Sequence, residues 1–224
     1  MCKILYPYKG SITQKFGANA VAYYNDHSLK GHPGIDFMSN SITFGTPAMI
    51  QAVVPGPIYS TINRNNSDLS KYRAVCQLYH CDEHGDFEII YGHVKEMYVY
   101  AGDVVPEGVA IAREGNTGIC YSGGREVTTA EKNAGSKKGT HLHLQMRKVE
   151  KVKTTEKDKQ YLIDENGLYQ DKEGFFYYVP DFDNGFNGCV DFKPNLYQPN
   201  TKTLVSIFKK VAQYISTKIN RVNS

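Results

Sequence analysis

Gly139-Thr140-His141-Leu142-His143-Leu144-Gln145-Met146 alternates Leu142, Leu144 and Met146 with His141, His143 and Gln145. A period of two is the pattern of a half-buried β-strand: the apolar set anchors in a core while both imidazoles point to the opposite face. Two histidines side by side on one strand can hold one metal ion or divide one reaction between them.

Upstream, from His32, the chain is a series of short candidate strands broken by glycine and proline. Residues 47–54 end at Pro55-Gly56-Pro57, and residues 58–62 restart the alternation. Residues 73–79 place Ala74, Cys76 and Leu78 on one face, and the turn Asp82-Glu83-His84-Gly85-Asp86 joins them to residues 87–93 as a β-hairpin. Residues 101–112 and Gly115-Asn116-Thr117-Gly118 read as turn, strand and turn. Ile12, Gln14 and Phe16 mark an entry strand, followed by a polar surface loop over 19–30. Residues 122–139, rich in glycine and lysine without a period, predict a long loop leading into the His141 strand. Many short strands with Gly and Pro turns predict a mainly β fold, an antiparallel β-sandwich or open barrel.

Downstream of Arg147 the composition shifts. Residues 148–159 are charged and predict a surface crossing, and residues 161–163 and 175–179 predict a small hairpin. Leu204, Ile207, Phe208, Val211 and Ile215, three and four apart, predict an amphipathic helix over 203–219 after Pro199. The expected division is one domain over 1–150 and a small α+β C-terminal extension over 151–224.

Composition excludes several classes. A hydrophobic fraction of 41% with 22% charged residues is that of a soluble globular chain. Lys+Arg of 26 against Asp+Glu of 23 gives +3, too weak a balance to argue for nucleic acid, although compatible with an anionic polymer such as a cell wall. No apolar run approaches the ~20 residues of a membrane-spanning helix, so no stable membrane insertion is expected. Residues 1–8 lack the apolar stretch of a secretory signal, which predicts a chain made in the cytoplasm or one whose export signal has been removed. Cys2, Cys76, Cys81, Cys120 and Cys189 are an odd set without framework spacing and predict free thiols in a reducing compartment.

The second candidate for metal binding is His32-Pro33-Gly34-Ile35-Asp36. Pro33 and Gly34 oppose a helix. On a straight strand residues four apart lie ~13 Å from one another, so the segment must bend if both side chains are to reach one ion. Imidazole plus carboxylate suits zinc, and one strand histidine added to them leaves a fourth position open to water, the mark of a catalytic rather than a structural site. Cys76, His80, Cys81 and His84 have the ligand types for a second zinc but lack Cys-x-x-Cys spacing; Cys76 reads as core, His84 as turn and His27 as surface. The stretch 104–111 has the cadence of a lipoyl or biotinyl carrier without the modifiable lysine at a hairpin tip. The Lys-bearing face of the last helix reads as solvated, membrane-surface binding being the rarer use of such a pattern.

Taken in order, His32-x-x-x-Asp36, Gly45-Thr46-Pro47, Tyr91-Gly92-His93, Gly115-Asn116-Thr117-Gly118 and His141-Leu142-His143 resemble the motifs of the M23 family of zinc metallopeptidases, the lysostaphin- and LytM-like peptidoglycan endopeptidases. The resemblance covers roughly residues 10–149 and is specific because five separated motifs agree in order. It implies an M23, lysostaphin-like core, with one Zn²⁺ per chain held by His32, Asp36 and His143, and His93 and His141 as the catalytic histidines. It further implies a zinc metalloendopeptidase that hydrolyses peptide bonds of bacterial peptidoglycan, in the stem peptide or crossbridge. A phage or prophage lysin, acting on the wall after release or on a phage particle, suits a chain without an export signal. The alternative is a non-catalytic cell-wall-binding or hydrolase-activator protein retaining the fold. Such activators generally lack some of the five zinc and catalytic residues, and here all five positions are filled.

Overall fold

The computed structural model describes residues 2–18, 24, 26–39 and 47–222. Gly45 and Thr46, and part of the expected 19–30 loop, lie outside the described residues. The chain opens with β1 (Ile4–Leu5), β2 (Gly10–Gln14), β3 (Ile35–Ser39), β4 (Met49–Gln51) and β5 (Gly56–Ile62). Next come β6 (Ala74–Cys81), β7 (Gly85–Gly92), β8 (Glu96–Met97), β9 (Val104–Val105) and β10 (Ala110–Arg113). A short hairpin, β11 (Tyr121–Ser122) and β12 (Arg125–Glu126), precedes α1 (Thr129–Asn133) and the long strand β13 (Leu142–Val152). The remainder holds β14 (Gln160–Tyr161), β15 (Ile163–Asp164), β16 (Gly167–Leu168), β17 (Phe176–Val179), β18 (Leu196–Tyr197) and α2 (Thr201–Val222).

Nine strands form the main sheet, in the order β14-β17-β13-β7-β6-β5-β9 with β3 paired to β13 and β2 to β3. A second sheet, β4-β10-β8, packs against one face of it, and the pairings within both are antiparallel. Between them lies the main core, with Ile35, Phe37, Ile89, Tyr91, Leu142 and Leu144 from the large sheet and Ile50 and Ile111 from the small one. This is the mainly β, antiparallel sandwich that the alternation predicts. Two polar side chains inside it are satisfied: Tyr91 donates to Gln77 Oε1 (2.7 Å) and accepts from Val53 N (2.9 Å), while Gln77 Nε2 donates to Val54 O (3.0 Å).

The other face of β6, β7 and the end of β13 is covered as well. Ala74, Cys76, Leu78, Ile90 and Val149 meet Leu162, Tyr177 and Val179 there, so β6 and β7 are buried on both faces. The expected hairpin of 161–163 with 175–179 takes a specific form: β14 pairs with β17, β17 adds to the end of β13, and β15 and β16 form a separate hairpin. Residues 148–152 continue β13 instead of only crossing the surface. Between 122 and 139, where the composition predicts a long loop, the chain folds the β11–β12 hairpin and α1, which starts on a capping box of Thr128 and Glu131. The last helix begins two residues earlier than its apolar spacing predicts, at Thr201, where Asn200 Oδ1 accepts from Thr203 N (3.0 Å) as an N-cap.

The cysteines depart from expectation. Cys2 and Cys81, 79 residues apart, form a disulfide with Cα atoms 6.0 Å apart, while Cys76, Cys120 and Cys189 are free and buried. Spacing gives no hint of this pair, because the fold alone brings the first residues against the end of β6. Closing so long a loop removes denatured-state entropy, so reduction should lower unfolding free energy by about 2–4 kcal/mol. Urea unfolding with and without a thiol reductant measures it; an unchanged midpoint would contradict the assignment.

Candidate active site

Antiparallel register sets Asp36 of β3 opposite His143 of β13, and His143 opposite Gly92 of β7. The three strands therefore carry a row of positions on the face away from the main core, and His93 follows Gly92 directly. Beneath the row, Ile35, Phe37, Leu142 and Leu144 are fully buried. A one-residue slip of β13 would exchange its two faces. Each of Leu142, Leu144 and Met146 would then forfeit about 1.5–3 kcal/mol of burial, which fixes the register.

His32 joins the row because residues 32–34 turn before β3 begins at Ile35. Gly34 makes this possible: a Cβ there would lie 2.6 Å from Leu144 O and 2.8 Å from His143 Cε1. The bend demanded of the His32–Asp36 segment is present, with His32 Nε2 3.1 Å from Asp36 Oδ1.

His143 Nδ1 lies 2.8 Å from Asp36 Oδ1 and 2.9 Å from His32 Nε2, so three potential ligand atoms form a triangle with edges near 3 Å. His32 Nδ1 donates to Lys15 O (3.2 Å), which leaves a lone pair on Nε2. A carboxylate oxygen and two imidazole nitrogens meeting this closely need a proton or a cation among them. Ligand atoms ~2.0–2.1 Å from one tetrahedral zinc stand about 3.3 Å from each other, close to the edges seen here. Among the described residues no other group of three such side chains converges in this way.

His141 and His93 stand beside the triangle. His141 Nδ1 donates to Gly139 O (2.8 Å), and its Nε2 is 3.8 Å from Asp36 Oδ2. His93 Nδ1 donates to Thr117 O (2.6 Å), and the two rings are 4.5 Å apart between centroids. Since a carbonyl can only accept, each ring carries its proton on Nδ1 and keeps a lone pair on Nε2. His93 sits at φ +60°, a left-handed conformation that costs a non-glycine residue about 1–3 kcal/mol.

The turn Gly115-Asn116-Thr117-Gly118 holds both rings in place. Gly115 O accepts from His141 N (3.0 Å), and a Cβ on Gly115 would lie 2.8 Å from His93 O. Thr117 Oγ1 donates to Val94 O (3.2 Å) and accepts from Arg73 N (3.2 Å), anchoring the carbonyl that receives His93. Asn116 donates to Ser136 O (2.9 Å) and Lys138 O (3.0 Å), fixing the segment that delivers His141.

All five histidine and aspartate positions line one cleft of about 1200 Å³. That exceeds the ~300–1,000 Å³ of small-molecule pockets and suits an extended substrate. Two further residues on its wall escape the sequence pattern. Tyr72 meets the His93 ring edge-on at 5.0 Å, and Cys120 Sγ lies 3.4 Å from His93 Nδ1. Burial pushes the Cys120 thiol up to about 12, so it stays protonated beside the imidazole. Tyr72 belongs to no motif, and nothing in the spacing marks Cys120.

The remaining candidates disperse. His80 pairs with Asp86 (2.6 Å) on the surface, His84 and His27 are exposed, Cys81 is in the disulfide and Cys76 is in the second apolar cluster.

Burial favours a neutral Asp36 carboxyl, but the His141 charge and hydrogen bonds to His143 and His32 outweigh it and hold the carboxyl well below the usual range. Burial lowers His93 well below its ordinary value, reinforced by His141 and His143, and burial lowers His143 against the pull of Asp36.

A family model described as Peptidase family M23 matches residues 30–157, over half of the chain. No curated protein sequence matches. Among solved structures, the catalytic domain of a mutant of the prophage-encoded M23 protein EnpA from Enterococcus faecalis is similar at 19% identity, over 65% of this chain and 86% of that one, with a TM-score of 0.41. The SpoIIQ–SpoIIIAH pore forming complex contains a chain similar at 19% identity, over 66% and 85%, with a TM-score of 0.43. The catalytic domain of the antimicrobial peptidase lysostaphin from Staphylococcus simulans is similar at 21% identity, over 62% and 80%, with a TM-score of 0.37. At these scores the likenesses are distant and carry no functional weight.

Two imidazoles with lowered pKa make stability depend on pH. Above the unfolded value of about 6.5 both states are neutral and the contribution is complete; as pH falls below it the unfolded chain binds protons that the native one refuses. The metal-free protein should therefore lose urea resistance on acidification from about pH 6.5, and His93→Gln should flatten that slope. A pH-independent midpoint between about pH 7 and 5 would refute the burial argument.

Proposed function

The chain belongs to peptidase family M23, and on that premise we propose that it is a zinc metalloendopeptidase hydrolysing peptide bonds of bacterial peptidoglycan, in the stem peptide or the crossbridge. The observation that carries this reading is the meeting, in one cleft, of the His32–Asp36–His143 triangle with two further histidines whose Nε2 lone pairs are free.

In this reading His32, Asp36 and His143 hold one Zn²⁺ per chain. When bound, zinc supplies a Lewis acid that lowers the pKa of a water toward ~7 and polarises the scissile carbonyl. His93 and His141 handle the protons. Either Nε2 can accept a proton from the attacking water, and the other ring, once protonated, can stabilise the oxyanion or protonate the leaving amine. His93 is held neutral by burial, so a proton it accepts is readily passed on. Thr117 O and Gly139 O keep both rings in the required tautomer throughout. The Cys2–Cys81 bond accords with work outside a reducing cytosol, where the cell wall lies. The binding-protein alternative has no support in the site, since none of the five side chains is missing or turned away.

Digestion of purified peptidoglycan with and without a chelator tests the activity. New amine ends, identified by fragment mass, should appear only when metal is present; their absence would leave the wall-binding alternative standing. Single substitutions test the division of labour. His32→Ala, Asp36→Ala or His143→Ala should empty the protein of zinc, measured by elemental analysis. His93→Ala or His141→Ala should keep the metal and lose on the order of 10²- to 10⁴-fold in rate. A fully active His141→Ala protein would remove that residue from the mechanism.

A further inference from the structure

The helix α2 contains Lys202, Lys209, Lys210 and Lys218 and, from Thr201 to Val222, neither Asp nor Glu. One stripe of it is docked. Ile207 is buried against the backbone of Gly108, where a Cβ would meet its Cγ2 at 2.3 Å, and Val211 and Tyr214 pack on the same core. Lys218 pairs with Asp103 at the far end of that stripe.

A second apolar stripe is not docked. Leu204, Phe208, Ile215 and Ile219 recur at helical spacing with Val205 beside them, and all five are exposed, Phe208 at 67%. At about 100° per residue this stripe lies roughly a quarter turn from the docked one. Lys202 and Lys209 follow Val205 around the helix, so the open stripe is bordered by the protein body on one side and by cations on the other. Contiguous large apolar side chains left in water mark an interaction surface rather than ordinary exposure.

We propose that α2 is a docking element that lies on an anionic phospholipid surface, its Leu204–Ile219 stripe seated at the acyl boundary and Lys202 and Lys209 among the headgroups. Three physical points select this occupant. An apolar face flanked by long cationic side chains is the pattern of an interfacial helix, the lysine stems running along the apolar zone and the ammonium groups reaching phosphate. A second copy packed antiparallel through this stripe would bring lysines against lysines, with no acidic residue in the helix to pair them. A soluble polyanion would satisfy the lysines but leave Phe208 and both isoleucines in water. No helix among the described residues is long and apolar enough to cross a membrane, so the contact is one of lying on the surface.

Co-sedimentation of the full chain with vesicles tests this directly. Vesicles of equal phosphatidylglycerol and phosphatidylcholine should retain the protein about tenfold more than phosphatidylcholine alone, and about 0.5 M salt should release it. The double variant Phe208→Ser/Ile215→Ser alters only exposed side chains and should keep its circular dichroism while losing about tenfold in retention; Lys202→Glu/Lys209→Glu should do the same. Equal or absent retention on both vesicle types would overturn the proposal, and the unaltered chain decides that alone. Retention unaffected by the apolar variant would identify a polyanion site instead. Self-association abolished by that variant, without vesicle binding, would identify a second copy as the occupant.

Discussion

The strand β13 is held on one side by β7 and on the other by β3, and the hydrogen-bonded register of those two ladders places Asp36 and His143 and fixes the strand ends from which the other histidines project. Asp36, His143 and Gly92 fall in one row because the strands pair there. The pairing in turn is held by Phe37, Leu142, Leu144 and Tyr91 in the core below. A site mounted on adjacent strands inherits the rigidity of the sheet, which loops alone do not provide. The chain leaves that order at the turn that brings in His32 and again at His93, where the left-handed backbone swings the ring toward His141. The conformational cost is offset by the bond to Thr117 O and by the close approach of Gly115.

One face of β13 serves two purposes. His141, His143 and Gln145 form part of the cleft, whereas Arg147 and Val149, further along the same face, are covered by the chain beyond residue 150. The change of use occurs at Glu88 and Arg147, directly opposite each other on β7 and β13. Glu88 is fully buried, accepts from Arg147 Nε at 2.5 Å and from the Tyr59 hydroxyl, and so has both oxygens engaged. Removing one partner from such a pair leaves a buried charge alone, which costs about 3–5 kcal/mol. The pair thus ties β13 to β7, and through Tyr59 to β5, at the point where this face passes from cleft to covered core.

The alternation of 139–146 and the apolar spacing of the last helix are legible in the sequence because one face of each meets water or a cleft, whereas the hairpin of 73–93, buried on both faces, is legible from the polar turn at 82–86 between its two apolar runs. The bend at His32-Pro33-Gly34 is legible as well, since proline and glycine announce it. Spacing says only that His141 and His143 share a face; their separate roles come from resemblance, not from periodicity. Helix α1 is too short at five residues for a period to show, although Thr128 and Glu131 carry its capping signature. The Cys2–Cys81 bond, Tyr72 against His93 and Cys120 beneath it are contacts between segments distant in sequence. Each exists only once the register has been set, and no local pattern encodes it.

What separates the residues suited to hold an ion from those suited to move a proton is where each nitrogen lone pair goes. The ring of His32 spends its Nδ1 proton on Lys15 O and turns Nε2 inward; His143 turns Nδ1 inward. Both inward nitrogens therefore meet the Asp36 carboxylate, sharing a proton with it or, with that proton gone, turning their lone pairs to a cation. Three acceptors at this distance repel one another unless positive charge lies between them, so the fold has assembled a net-negative nest whose stable state contains a cation or a proton. His141 and His93 spend their Nδ1 protons on main-chain carbonyls but keep Nε2 outside that triangle, His141 at 3.8 Å from the nearer Asp36 oxygen. Proximity of five polar side chains would not by itself distinguish two functions; the direction in which each Nε2 is aimed does, into the triangle for His32 and outside it for His93 and His141.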